Sequence, residues 1–410
     1  MICPVEMGIM DITEVVSMRQ TELLQEIRKM RFEEAYDGWT TKKINQTEAA
    51  RLLGVCERTF RRYIHRYEEE GLDGLVDKRL SQASHRRAPV DEVMNLTDLY
   101  RSRYEDFNVK HFYHFYKHHH KGHRSYTWVK NTLQSNRLVP KGSKRGKHRI
   151  RRLRSPYPGM MLHQDGSTHE WVEGKKWDLI ITLDDATSEH YSMFFVNEEG
   201  TASSFIGVRD VINKKGLFAS IYTDRGSHYW HTPDAGGKVD KARLTQFGRA
   251  MRQLGITMIP AYSPEARGRC ERMFSTHQER LPKELKLAGI TQMDAANRYI
   301  QDTYLPSFNS EFSVLAREEG GVFVKWIGEN IDDILCEQHD RTVGNDNCVS
   351  FDGLSLQIPK NEYRFHYVKV KVRVHKYTDG RMAIFHGPRN LATYDAKGTI
   401  LDERYVATAA

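Results

Sequence analysis

The stretch WDLIITLDDATSEHYSMFFVN (177–197) holds two apolar runs, 177–187 and 190–197, joined by Ser188-Glu189. Runs of that length rich in β-branched and aromatic residues predict a β-hairpin. Upstream, MLHQDGS (161–167) reads as a strand end. Downstream, ASSFIGVRDVINKK (202–215) reads as a helix, and LFASIYTDRGS (217–227) as a buried strand leading into a turn. A helix over 239–254, the strand ITMIPAY (256–262) and a long helix from about Ala266 to Leu287 follow. Three adjacent strands, then alternating helices and strands, predict an α/β layer around a mixed sheet.

Three acids stand where these strands or a glycine turn end. Asp165 closes MLHQD ahead of Gly166, and Asp224 closes LFASIYTD ahead of Arg225-Gly226. Glu271 lies early in the long helix, after AYSPEARGRC. Singly, a strand-end Asp is usually a turn residue and a helical Glu usually faces solvent. Together they suit phosphodiester chemistry. A phosphate repels nucleophiles, and two Mg²⁺ ions held by carboxylates answer this, one activating the attacking oxygen and one stabilising the leaving oxygen. Mg²⁺ takes hard oxygen ligands and keeps positions for water and phosphate.

Toward the N-terminus, RQTELLQEIRKMRF (19–32) spaces Leu23, Leu24, Ile27 and Met30 as a helix does. In NQTEAARLLGVCERTFRRYIHRYEEEG (45–71), Asn45 can cap a helix carrying Ala49, Ala50, Leu52 and Leu53. Gly54 permits a tight turn, and a second helix from about Glu57 to Glu70 turns Phe60, Ile64 and Tyr67 inward. Arg58, Arg61, Arg62 and Arg66 remain outside. This is a helix-turn-helix pattern whose recognition helix presents cations to DNA. After Pro89 come three more predicted helices: one on Val90, Val93, Leu96 and Leu99, one over 109–120, and one over 125–136 with a Ser cap. They suggest a second, winged-helix-like unit.

RLVPKGSKRGKHRIRRLR (137–154) then carries Lys144, Arg145, Lys147, Arg149, Arg151 and Arg152 among its cations, and no acid. Such a block repels itself and buries no core, so it reads as an extended linker able to track phosphates. Near the other end, YVKVKVRVHKY (367–377) alternates valines with Lys369, Lys371 and Arg373. With the Asp379-Gly380 turn it predicts a small β-barrel or sandwich with one cationic face. That face suits DNA contact and protection against edge aggregation equally.

The segments DGSTHEWVEG (165–174), LIITLDDATSEHY (179–191), YTDRGSHY (222–229) and SPEARGRCERMF (263–274) resemble the catalytic core of DDE transposases in the retroviral-integrase superfamily. The chain looks most like the ISNCY-like group of bacterial insertion-sequence transposases. The resemblance runs over about residues 20–375, including FNSEFSV (308–314) and RTVGNDN (341–347). It implies an RNase H-like fold with Asp165, Asp224 and Glu271 as catalytic and metal-binding residues, two Mg²⁺ ions, and Mn²⁺ as a substitute.

The sequence departs from the family pattern at Arg225, where Asn is common after the second Asp, which sets a cation beside the site for a phosphate. The separation of Asp224 and Glu271 exceeds that of compact retroviral members, and the surplus falls on YWHTPDAGGKVDK (229–241). Asp184 and Asp185 are rival acids. Arg267, Arg269 and Arg272 flank Glu271 and are expected on DNA phosphates. Cys270 is expected to pack. The histidines His111, His114, His118, His119, His120 and His123 lack the cysteine pair of a zinc finger and read as a polar helix face.

The 410 residues carry a formal net charge of +8, with 39% hydrophobic and 28% charged residues. The basic surplus favours nucleic acid. Five cysteines without a CxxC pair fit a reducing cytoplasm. No membrane-spanning run or secretory signal is read. The expected architecture is multidomain α/β. A helix-turn-helix domain occupies 15–78, a second helical DNA-binding domain 88–137, a basic linker 138–155 and an RNase H-like core 156–288. A helical connector at 289–345 and a small β-barrel at 346–408 complete it. The expected function is a transposase that binds terminal inverted repeats and catalyses DNA cleavage and strand transfer on double-stranded element ends and target. It would work as a homodimer or larger synaptic assembly near the bacterial nucleoid. The alternative is a non-catalytic DNA-binding regulator derived from such an enzyme; a nuclease without joining activity is a further one.

Overall fold

The structure, a computed structural model, describes residues 12–76, 88–141, 153–233, 237–262, 264–328, 330–360 and 364–401. The chain forms two units, Met1–Met94 and Asn95–Ala410. In the first, α1 (Ile12–Thr40), α2 (Gln46–Leu52) and α3 (Glu57–Glu70) follow one another. Asn45 caps α2 reciprocally. Its side chain accepts from Glu48 N at 2.9 Å while the Glu48 carboxylate accepts from Asn45 N at 2.8 Å. Gly54, at φ 66°, makes the turn in a region that costs glycine little. Phe60 and Ile64 bury against Phe32, Ala35, Ala49 and Ala50. Leu52 is 66% exposed, while Ala49 and Ala50 make the buried contact of α2.

α4 (Val90–Arg103) begins in the first unit; in the second, its part from Asn95 on packs with α5 (Val109–His118) and α6 (Tyr126–Ser135) through Tyr100, Tyr104, Phe112, Phe115, Val129 and Leu133. The main sheet follows: β1 (Leu162–Val172), β2 (Lys175–Asp184), β3 (His190–Val196), α7 (Thr201–Lys214), β4 (Ser220–Thr223), α8 (Gln246–Gln253), β5 (Thr257–Pro260) and α9 (Pro264–Leu287). Strand order is β3-β2-β1-β4-β5. β1, β2 and β3 are mutually antiparallel, while β4 runs parallel to β1 and β5 parallel to β4. With helices on both faces, this is the expected mixed-sheet core. One face packs under α7 and α8 through Leu162, Phe205, Val208, Ile221, Phe247 and Met251. The other packs under α9 through Leu179, Ile181, Phe195, Cys270, Phe274 and Leu281. Cys270 is thus a packing residue.

Asp165 does not end its strand. β1 runs on to Val172 because Trp171 is fully buried and its indole N–H donates to Trp177 O at 2.9 Å, which holds the second half of β1 on β2. The helix expected over 239–254 starts only at Gln246, where the Thr245 hydroxyl accepts from Gly248 N at 3.1 Å as its cap.

β3 is an edge strand, and its free backbone is closed by side chains. α10 (Met293–Tyr299), a π-turn (Ile300–Tyr304) and α11 (Leu305–Phe312) lie along it. Asn309 Oδ1 accepts from His190 N at 2.9 Å and its Nδ2 donates to His190 O at 2.9 Å. Asn297 does the same to Phe195, at 2.7 and 3.1 Å, and Gln301 donates to Met193 O at 2.7 Å. These amides replace a missing neighbour strand.

The 289–345 stretch is not helical throughout. After Phe312 the described chain pairs Val324 with Leu217, makes a short 3-10 turn (Ile331–Asp333) and enters β6 (Glu337–Thr342). β7 (Cys348–Phe351), β8 (Leu354–Gln357), β9 (Lys371–Lys376), β10 (Met382–His386) and β11 (Arg389–Tyr394) complete the tail. They form a four-stranded sheet, β11-β10-β9-β6, and a separate β7-β8 pair. Among the described residues no barrel closes. β9 starts later than the valine alternation predicts because Lys369 sits at φ 60°, which breaks the extended run. No helix of the described residues is long and apolar enough to cross a membrane.

Candidate active site

The parallel register of β1 and β4 pairs Leu162 with Ile221 and His163 with Tyr222. Continued by two residues, it sets Asp224 beside Asp165, on strands about 4.8 Å apart. Both then lie on the same face. Asp165 pairs with Ile181 of β2, which belongs to the cluster under α9, so this is the face α9 covers. Asp165 is 8% exposed, and its Oδ1 accepts from Gly166 N at 3.2 Å. Asp224 Oδ1 accepts from Gly226 N at 2.8 Å; a Cβ on Gly226 would come within 2.9 Å of that oxygen. The turn is locked from behind. Trp230 donates to the Thr223 hydroxyl at 2.9 Å, and that hydroxyl donates to Asp224 O at 3.0 Å.

α9 runs in the direction of β1. Gln278, midway along it, donates to Ser167 Oγ at 2.9 Å, and Lys175, past the far end of β1, donates to Thr291 O at 2.8 Å just beyond the helix. Glu271 lies two turns before Gln278 on the same side, about 10 Å back along the axis. Asp165 lies two residues before Ser167, about 6.6 Å back along β1. Glu271 therefore sits at the Asp165 end of α9, where it is exposed. The structure brings Asp165 and Asp224 together. It does not bind Glu271 into the pair, and among the described residues no group of three His, Cys, Asp or Glu side chains could hold a metal ion.

The opposite face carries a polar group that the sequence reading missed. Gln164, 1% exposed, donates to Thr182 Oγ1 and Ser204 O, both at 3.1 Å, and accepts from Tyr229 at 3.2 Å. Burial, then the charges of Glu199, Asp165 and Asp224, raise the Tyr229 phenol well above its usual range. Glu199 stands 3.5 Å from His228, and a Cβ on Gly166 would collide with its carboxylate. Side chains alternate along a strand, so Glu199 lies across the sheet from Asp165. The acid-rich NEEG (197–200), ahead of α7, was the available signal.

The rival acids are structural. Asp184 accepts from Gly159 N at 2.7 Å and Thr187 N at 2.9 Å; Asp185 accepts from Ser155 N at 2.7 Å and meets His163 Nε2 at 2.8 Å. Both are fully buried. They fasten the 153–159 segment to the sheet.

The cations divide. Arg58, Arg61, Arg62 and Arg66 are exposed and line one concave surface of α3 with His65 and Glu69. Arg272 is exposed beside Glu271. Lys144, Arg145, Lys147, Arg149, Arg151 and Arg152 lie outside the described residues, as do the side chains of Arg267 and Arg269. Arg225 donates to Gly237 O at 2.8 Å, with its guanidinium 5.5 Å from the Tyr262 ring centre, and so ties down the loop after Asp224. Arg154, in the expected linker, donates to Asp185 O at 3.0 Å and Ser188 Oγ at 2.7 Å. His111 is buried against Glu284 at 2.7 Å.

Residues 34–92 match a family described as winged helix-turn helix. The chain is 28% identical over 357 residues to the y4bF transposase candidate of Sinorhizobium fredii (strain NBRC 101917 / NGR234), covering 83% of this chain and 75% of that protein. It is 29% identical over 161 residues to the transposase for insertion sequence IS1202 of Streptococcus pneumoniae, covering 39% and 34%. Among solved structures it overlaps the simian T-cell lymphotropic virus intasome in complex with PP2A regulatory subunit B56 gamma. The TM-score is 0.33 at 15% identity, over 68% of this chain and 93% of that one. The two sequence relatives, not that low-scoring overlap, bear on function.

Proposed function

We infer that this relative of insertion-sequence transposases is itself a DDE-type transposase, acting on double-stranded DNA at the ends of its element and at a target. The observation that supports this is the parallel register of β1 and β4, which, continued by two residues, sets Asp224 beside Asp165 on the sheet face covered by α9, whose near end bears Glu271. The donor set is entirely carboxylate oxygen, which suits a hard divalent cation in kind. Asp165, Asp224 and Glu271 would hold two Mg²⁺ ions, or Mn²⁺ in their place, supplying Lewis-acid activation of the attacking and leaving oxygens. The reading requires Glu271 to close onto the aspartate pair when DNA binds, as apo sites often tighten only in the complex.

The protein's own groups have separable tasks. The Gly166 and Gly226 amides orient the two aspartates. The Trp230–Thr223 contact keeps Asp224 at the strand exit. Arg225 holds the neighbouring loop, and Arg272 faces solvent beside Glu271, where a phosphate arrives. The arginines of α3 grip the terminal inverted repeats in the major groove. One site first hydrolyses a phosphodiester to free a 3′-hydroxyl, then directs that hydroxyl onto a target strand. Two ends must be handled together, so a dimer or larger synaptic assembly is the working form.

The test is cleavage of a labelled duplex carrying an element end, with Mg²⁺, by wild type and Asp224→Asn. Cleavage lost in the variant and retained in wild type supports the reading. Cleavage equal in both removes Asp224 from the site.

A further inference from the structure

We propose that the cleft between α4 and α9 is a further contact surface for the phosphate backbone of duplex DNA. It is open, with a volume of about 420 Å³, and lined by Arg101 and Arg103 from the last turn of α4 and Lys283 and Lys286 from the C-terminal turns of α9. Glu105 and Asp106 are the acids at its edge. Arg101, Arg103 and Lys286 are exposed, and Lys283 is half-buried.

Three observations point to an anionic partner. First, none of the four cations is ion-paired with a described residue. Second, the neighbouring acids of α9 and α11 are committed elsewhere, which leaves Glu105 and Asp106 against the four cations. Glu279 accepts from Asn108 at 2.7 Å; Glu284 accepts from Tyr299 at 2.9 Å and bonds His111 at 2.7 Å; Glu311 takes Arg280 through two contacts, at 2.7 and 3.1 Å. These contacts clamp α5 and α11 to α9 and leave the cations pointing outward from a rigid seat. Third, the helix dipoles account for single cations in a last turn, but not for four converging from two helices that are far apart in sequence.

The partner's identity rests on the transposase reading above: a phosphodiester backbone presents closely spaced negative charges to a row of cations. α9 links the cleft to the reaction. Lys283 and Lys286 lie about 18–22 Å along the helix from Glu271, or roughly five to seven base pairs of duplex. A duplex with one strand at Asp165 and Asp224 therefore has backbone within reach of the cleft, which would fix its direction across the site. Neither the arginines of α3 nor the linker cations are needed for this contact.

The experiment measures binding of full-length protein to end-containing duplex by fluorescence anisotropy at several KCl concentrations. The variants are Arg101→Ala/Arg103→Ala/Lys283→Ala/Lys286→Ala and, as a milder change, Lys283→Gln/Lys286→Gln. Circular dichroism confirms that each is folded. Four lost phosphate contacts lower the slope of log affinity against log salt by about 3.6, and two by about 1.8. The affinity gap between wild type and the quadruple variant then widens about a hundredfold from 200 to 50 mM salt. Arg61→Ala/Arg62→Ala serves as the control. If wild type binds and the control loses slope while both cleft variants keep the wild-type slope, the cleft proposal is overturned and the transposase reading stands. If wild type binds no DNA at all, both fall.

Discussion

Acid should loosen the anchorage of α9, and the size of the effect follows from one buried chain of hydrogen bonds. His190 Nδ1 lies 3.1 Å from Ser188 O, His277 Nε2 lies 3.1 Å from His190 Nε2, and His277 Nδ1 lies 3.0 Å from the Tyr304 hydroxyl. A carbonyl only accepts, so His190 Nδ1 carries the proton. The His190 Nε2 then accepts, His277 Nε2 donates, and Tyr304 donates to His277 Nδ1. Every position is filled with both imidazoles neutral; a proton added to His190 sets two N–H groups against each other, and one added to His277 turns Tyr304 from donor to acceptor and takes this partner from its hydroxyl hydrogen. Burial lowers the His190 pKa to about 4. Burial first, then His190 and Arg280, drives His277 well below its usual value. Both folded values lie below the unfolded one. The stability they confer is therefore complete above about pH 6.5 and is lost as pH falls toward the folded values. At pH 5 His190 alone costs about 2 kcal/mol. The assay is urea unfolding at pH 7.5, 6, 5 and 4.5 for wild type and His190→Leu/His277→Leu. Wild-type stability should fall more steeply below pH 6.5, by up to about 2.7 kcal/mol per pH unit for two histidines. Equal slopes for the two proteins would refute the reasoning, whatever their absolute stabilities.

Two further outcomes can be checked on purified protein. Asn309→Leu strips the amide that closes the His190 backbone on edge strand β3, and should cost about 1–3 kcal/mol by urea unfolding; an unchanged midpoint would mean that water closes the edge equally well. Arg225→Ala should free the loop held through Gly237, so trypsin should cut at Lys238 or Lys241 several times faster while the global unfolding midpoint moves little. Unaltered cleavage kinetics would show that other contacts fasten this loop.

The sheet was legible because its strands announce themselves as apolar runs: β2 from Trp177 to Asp184 and β3 from His190 to Phe195 bury without a break, between helices on both faces. Caps at Asn45 and Ser125 were legible because a side-chain oxygen within three residues of an amide is a local event. What depends on distant partners was not. Asp165 reads as a strand end until Trp171 is seen to bury and bond Trp177. Asp184 and Asp185 read as rivals until Gly159 and Ser155 arrive from another segment. Arg225 reads as a cation beside the site, and its hold on Gly237 and Tyr262 shows only once those distant residues are in place. In the tail, alternation of valines predicts β9, but one positive φ at Lys369 delays its start, and closure of a barrel is a property of pairing that no single strand displays. Of the site, the two aspartates could be placed by the strands that carry them. The position of Glu271 relative to them depends on how α9 lies along β1.

That position is what the central claim turns on. The direct measurement is the initial rate of cleavage of an end-containing duplex, in Mg²⁺, by Asp165→Asn, Asp224→Asn and Glu271→Gln beside wild type, each matched for DNA affinity. The account predicts that all three lose about a thousandfold, near 4 kcal/mol of barrier, while binding DNA as wild type does. Glu271→Gln cleaving at the wild-type rate while the two aspartate variants fail would contradict it, and would show that the exposed glutamate of α9 never joins the pair.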